Sequence, residues 1–325
     1  MGEETPRDTE GREATGERTY QRNYYLGLIN GTLATLGNRI LSPQLVLAAF
    51  VYEVTGSKFL VGLLTSLAMA GHRLPQLYVG SLIEHRERKK RFYVAASVGR
   101  AVLLAGVAGA MLLSTGPLRM PAFMMFFLFY FAFRVGQGSA SIPFMDILAG
   151  TIGPSRVGGF FGKRHFLGSV VALICSFFLV QPVLDGFEPP LNYAVLTLTA
   201  LALMVVGWTA FALVDEVRNP APPQRRSLRE SLAAGIRMLM EDPNYRGLLW
   251  LRVLSQFNGL AFAFCVPYGV EKLGAVGLSG IFLGFVQASR LVSSLIWGYV
   301  SDRRGNRLCL LFAARFFTLS PAAAL

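Results

Sequence analysis

Charged residues are scarce in this sequence: Asp, Glu, Lys and Arg make up 15% of the 325 positions, where a soluble domain carries about 25%. That leaves too little polar surface to cover a soluble fold of this length. Cysteine is scarcer still. Cys175, Cys265 and Cys309 all lie in apolar runs, and no His or Cys stands at ligand spacing from any of them. A disulfide scaffold and a thiolate metal centre are both excluded, and the three read as reduced packing residues. There is no Ser-His-Asp grouping and no glycine-rich phosphate loop after a strand, so neither catalytic residues nor a metal nor a cofactor is expected, and an enzyme is disfavoured. Acidic residues are missing from the long apolar runs, because Glu53 and Asp146 stand only at their ends. Long polar low-complexity stretches are lacking too, which removes disordered and collagen-like classes.

What is abundant is apolar: 53% of the residues, with a mean hydropathy of +0.47. Runs free of charge, or nearly so, fall at 24–50, 59–83, 92–114, 121–145, 162–182, 191–214, 247–270, 279–300 and 308–325. Each is close to the roughly 20 residues that cross a hydrocarbon core. The expectation is an all-α integral membrane protein with about nine transmembrane helices. Residues 1–23 form a polar tail with no removable signal peptide, so the first helix is itself the insertion signal. With the amino terminus in the cytoplasm, twenty-one Lys and Arg fall in inner loops and only Lys58, Arg119 and Lys272 in outer ones. This bias orients the chain, in the inner or plasma membrane, by the positive-inside rule. The net charge of +12 is therefore topological, not a nucleic-acid footprint, because the cations are divided among loops beside lipid-length helices.

The longest connection, 215–246, divides the chain into a bundle at 24–214 and a second set of helices at 247–325. Within it, Ser227-Leu228-Arg229-Glu230 has the capping-box pattern. Leu228, Leu232, Ile236, Leu239 and Met240 then recur at helical spacing. This reads either as a helix lying in the membrane interface or as one packed on the core. A repeat is also present. Gly80-Ser81-Leu82-Ile83-Glu84 precedes the basic run Arg86 to Arg91, and Gly298-Tyr299-Val300-Ser301-Asp302 precedes Arg303 to Arg307. The offset of 218 residues also maps the first three helices onto the seventh to ninth.

These two segments resemble the signature of the major facilitator superfamily of secondary transporters, Gly-x-Leu-x-Asp-Arg-x-Gly-Arg-Arg, between helices 2 and 3 with a weaker copy between helices 8 and 9. The second copy fits better; the first has Glu84 for Asp, His85 for Arg and Glu87 for Gly. The resemblance covers residues 24–325 and implies a fold of twelve helices in two six-helix bundles around a central site. It implies transport of a small molecule by alternating access, by a monomer in the lipid bilayer, with a proton or other ion as coupling partner. On this count helices 10–12 are expected to be missing, as in a C-terminally truncated transporter. The implied cytoplasmic gate comprises Gly80, Glu84, Arg88, Asp146 at the end of helix 4, Arg156 in the loop beyond it, and Gly298, Asp302 and Arg303. Plain interfacial anchoring of basic loops is the alternative.

With Lys163 and Arg164 at the start of the fifth run counted in the inner loop, seven arginines fall inside the predicted spans. Arg252 can snorkel, and Arg100 and Arg315 can do so with strain. Arg39, Arg134 and Arg290 lie near the midplane, where an unpaired charge costs at least about 2.5 to 3.5 kcal/mol. They should face a watery cavity or a partner, or bind carbonyls at proline-broken turns such as Pro43, Pro143 and Pro267. Arg134-Val135-Gly136-Gln137-Gly138 resembles the family's helix 4 motif Arg-x-x-Gln-Gly, associated with proton-coupled antiporters. Candidate cavity residues are accordingly Arg39, Arg73, Arg134, Gln137 and Arg290, and three central arginines without a mid-span acid tilt the substrate toward an anion. His72 and Arg73, just before Pro75, are either cavity residues or helix packing. The competing function is a non-transporting helical membrane protein, such as a receptor or assembly partner, or an inactive transporter fragment.

Overall fold

The computed structural model describes residues 6–83, 86, 88–115, 119–152, 154–216, 228–263, 268, 271, 279–304, 308–309, 311–312 and 315, and among them helix follows helix with no strand. The first helix, α1 (Pro6–Ile40), starts well before the apolar run, because the Glu, Arg and Ala of the tail are good helix formers. It stops where Pro43 cannot donate an amide hydrogen. The chain resumes as α2 (Val46–Thr55), whose Val46 to Val51 are all buried, and turns at Gly56 with φ 67°. The expected span at 24–50 is thus two helical pieces joined at a proline.

The elements that follow are α3 (Lys58–Ile83), α4 (Lys90–Leu112) and α5 (Arg119–Ile152). Then α6 (Pro154–Cys175), a π-helical turn (Ser176–Val180) and α7 (Gln181–Gly186) make one interrupted rod. Next are α8 (Leu191–Ala212), α9 (Leu228–Glu241), α10 (Pro243–Ala263) and α11 (Ser279–Arg304). Among the described residues four stretches are long and apolar enough to cross a membrane: α4, α5, Gly159–Gly186 and α8. At 26, 21 and 26 residues, α3, α10 and α11 also have the length. Most of the ninth expected span, 308–325, lies outside the described residues.

Two boundaries move. Pro143 breaks nothing, since α5 runs through it to Ile152. Nearby hydroxyls support the local backbone: Ser139 Oγ donates to the Val135 carbonyl and Ser141 Oγ to that of Gly138. Pro154 then opens α6, the position where a missing amide hydrogen costs nothing. The loop expected around 146–161 is therefore mostly helix. Pro267 lies outside the described residues.

The core is built from α1 to α8, with Leu283 of α11 joining it. The phenylalanine-rich face of α5 supplies much of it. Phe126 and Tyr130 stack at 6.1 Å, Tyr130 and Phe133 at 6.2 Å, and Phe50 of α2 meets both Phe126 and Tyr193 of α8. Packing of this kind holds membrane helices together where lipid tails remove most of the hydrophobic driving force. In α9, Ile236 is 59% and Met240 73% exposed, while Leu239 is half-buried.

Candidate functional site

Near the middle of α5, Arg134 is half-buried and aimed across α3. Its Nε donates to the Ala68 carbonyl at 3.0 Å and its Nη1 to Gln137 Oε1 at 2.5 Å. Gln137 Nε2 donates in turn to Asn38 Oδ1 at 2.6 Å, and Asn38 Nδ2 to the Ala34 carbonyl at 2.7 Å. One chain of hydrogen bonds thus ties α5 to α3 and α1. The helices come this close because glycines face the crossing. A Cβ on Gly138 would overlap the His72 carbonyl, and one on Gly71 would sit 3.1 Å from the Arg134 Cβ. No carboxylate pairs with Arg134 among the described residues. Dipoles alone hold it, and two of the five guanidinium donors are used.

His72, one turn beyond Ala68 on α3, borders this network. Its Nδ1 is buried without a hydrogen-bond partner, and its Nε2 lies 3.5 Å from Gln76 Nε2. Arg39 is half-buried next to Asn38, whereas Arg73 and Arg290 are exposed. The structure brings Arg134 and Gln137 together and adds Asn38, which sequence reasoning missed. An asparagine inside an apolar helix was the available signal.

The end of the molecule bearing the basic loops is organised differently. Lys89 Nζ lies 2.6 Å from Asp146 Oδ2, and this lysine is 91% buried while the acid is 44% exposed. Glu216 accepts from the backbone amides of Lys89 at 2.6 Å and Lys90 at 3.2 Å, capping α4 where its first amides lack partners. Arg22 pairs with Asp215 at 2.5 Å, and Asn23 exchanges two hydrogen bonds with the Asp215 backbone, at 3.1 and 3.0 Å. Carboxylates therefore bind α1, α4, α5 and the segment after α8 into one rim.

Several expected gate residues fall differently. The partner of Asp146 is Lys89, while Arg88 is exposed. Around Gly80 a Cβ would meet nothing within 4 Å among the described residues. Glu84 lies outside the described residues. Arg156 belongs to α6, and Gly298, Asp302 and Arg303 belong to α11; beyond their place in these helices they too lie outside what is described. The acids Asp215 and Glu216, which sequence reasoning passed over, were signalled by their place directly after an apolar helix among basic loops.

Two other arginines settle inside the bundle. Arg100 does not snorkel: it is 5% exposed, its guanidinium lies 4.2 Å from the Trp208 ring centroid, and its Nη2 donates to Ser97 Oγ at 2.6 Å. Arg164 lies over the Phe144 ring at 4.6 Å, not in a loop.

At the face opposite the basic rim, residues from the two sides of the 215–246 connection meet. Lys58 pairs with Glu271 at 2.5 Å, and the hydrogen bond and charge of Glu271 hold the Lys58 ammonium above its ordinary pKa. The Ile281 amide donates to Gln181 Oε1 at 3.1 Å. Phe177, in the π-helical turn, packs on Gly284, where a Cβ would come within 2.5 Å of its ring. Beside this contact Gln287 is fully buried with neither amide atom hydrogen-bonded.

No metal-ligating cluster occurs among the described residues. The chain finds no match among curated proteins. The family model of the Major Facilitator Superfamily matches residues 27–325, nearly the whole sequence and every helix that contributes to the Arg134 crossing, so this multi-pass, all-helical membrane protein belongs to that superfamily of small-molecule transporters.

Proposed function

We propose that this protein moves a small anionic solute by alternating access, with Arg134 contacting the anion and Gln137 and Asn38 positioning it. The observation that carries the reading is that Arg134 sits near the middle of α5, held by a carbonyl and an amide with no carboxylate beside it among the described residues. A guanidinium so arranged has no neutralising partner among the described residues and presents a fork of unused donors, which suits a carboxylate or phosphate group. Residues 24–214 and 247–325 act as two rocking units joined by the 215–246 linker. Support comes from a core that, among the described residues, is drawn from α1 to α8, with Leu283 and the adjoining Phe282 and Val286 added from beyond the linker. The basic rim faces the cytoplasm, as the distribution of Lys and Arg favours, and the protein works as a monomer in the plasma or inner membrane. The contacts Lys58–Glu271, Ile281–Gln181 and Phe177–Gly284 at the opposite face support reading this conformation as closed to the outside. Glu84, Asp302 and the basic residues beside them serve as the inner gate, working with the Lys89–Asp146 pair.

A thermal-shift screen of the purified protein tests the substrate class, using phosphate and succinate against glucose and choline. The expected result is stabilisation by an anion that Arg134→Ala loses and Arg134→Lys partly retains. Stabilisation by glucose or choline alone, or an anion response unchanged in Arg134→Ala, overturns the reading.

A further inference from the structure

Along α4 the residues Val94, Val98 and Val102 form one outward stripe, 37%, 61% and 68% exposed. At the basic end of this stripe Arg88, Lys90, Arg91, Val94, Ala95 and Glu216 enclose a cavity of about 520 Å³. Among the described residues three cations there face one carboxylate, and that carboxylate is already engaged by two backbone amides. Lys90 Nζ is turned onto the Val214 carbonyl at 2.7 Å, while Arg88 and Arg91 are exposed. A second cavity, of about 140 Å³, runs between α4 and α8, with Val98, Ala101, Val205 and Trp208 among its walls.

Val94 lines both cavities, so the cationic pocket and the groove adjoin at that residue. The groove stays apolar because Ser97 turns its hydroxyl inward, donating to the Tyr93 carbonyl at 2.7 Å and accepting from Arg100 at 2.6 Å. A water-soluble anion would gain nothing from the groove, and a zwitterionic lipid nothing from the surplus charge. A ligand with a phosphate at one end and an acyl chain at the other uses both.

We propose that this pocket and groove bind one anionic phospholipid from the leaflet on the basic side, its phosphate on Arg88 and Arg91 and one acyl chain between α4 and α8. Basic pockets at the ends of membrane helices recognise such headgroups by charge, and contact with the apolar groove fixes the position. The site is separate from Arg134 and does not depend on the transported solute.

Native mass spectrometry of the protein taken from bilayers of mixed phosphatidylglycerol and phosphatidylcholine tests this. Wild type should retain one phosphatidylglycerol through detergent washing. The double variant Arg88→Ala/Arg91→Ala should weaken retention about 30-fold, the effect of removing two surface cations. Val98→Trp fills the groove with the cations intact and should release the lipid as well. A control removing equal charge from the linker, Arg225→Ala/Arg226→Ala, should retain it. Unchanged retention in either site variant, equal retention of the two lipids by wild type, or loss in the linker control overturns the proposal. Displacement by millimolar glycerol phosphate overturns it in favour of a soluble phosphate ligand. Melting curves of every variant separate lipid loss from misfolding, and Val98→Trp keeps the test intact if the double variant does not fold.

Discussion

Arg134 in mid-span and Lys89 at the basic rim are both enclosed cations, and the molecule neutralises them in opposite ways. Lys89 meets the carboxylate of Asp146, with Glu216 and Asp215 close by, whereas Arg134 meets a carbonyl and an amide. Acids at the rim keep contact with water, so their desolvation cost is modest. In mid-span an ion pair would be expensive to bury, and removing one partner would leave the other stranded. A cation held by dipoles remains a charge seeking an anion, and a cation held by a carboxylate is a fastener. The proposed anion contact and the fastening pair thus separate along α5, which carries Arg134 and Asp146 twelve residues, about 18 Å, apart.

The sharpest way to break this comparison is to remove each cation in turn and measure uptake into proteoliposomes. Arg134→Ala should lower anion uptake about 100-fold, the loss of one or two charge-assisted hydrogen bonds, with insertion and the melting curve preserved. Lys89→Ala should leave uptake within about tenfold. Equal losses in the two variants would erase the distinction. Next comes the crossing itself. Gly138→Ala forces α5 off the His72 carbonyl and should cost about 1 to 3 kcal/mol in detergent unfolding. Gly80→Ala, in open space, should be neutral or gain up to about 1 kcal/mol.

Asn38→Leu leaves Gln137 without its acceptor and should reduce uptake about tenfold, through affinity more than maximal rate, if Asn38 positions the arginine. A fall in rate alone would assign it to helix packing. The smallest effects belong to exposed pairs. Arg22→Ala should cost at most about 1 kcal/mol, since both Arg22 and Asp215 are 55% exposed. That cost should shrink further in 1 M salt, where the screening length is about 3 Å.

How far the sequence could be read follows from the same physics. The apolar runs were legible because crossing a bilayer imposes a length. Arg134 and Gln137 stood out because a charge there needs a reason, and the helical spacing of three put them on one face. Asn38 did not stand out, since an amide costs less than a charge and its partner is ninety-nine residues away. Lys89 could not be chosen over Arg88 within a run of cations, because which of two neighbours points inward depends on where α4 begins. Arg100 and Arg164 were misjudged for a related reason. Snorkelling is a property of one helix in lipid, and the stacking of Arg100 on Trp208 requires α8 to be present beside α4.

The sequence by itself determined that the chain crosses a membrane many times, which loops gather on one side and which charges stand in mid-span, because bilayer thickness and charge desolvation act on each segment separately. Only the tertiary structure decided which dipoles hold Arg134, which lysine fastens Asp146 and that a cationic pocket and an apolar groove share Val94. Those outcomes depend on how closely helices distant in sequence approach, and that distance is set by the glycines and side chains of two helices at once.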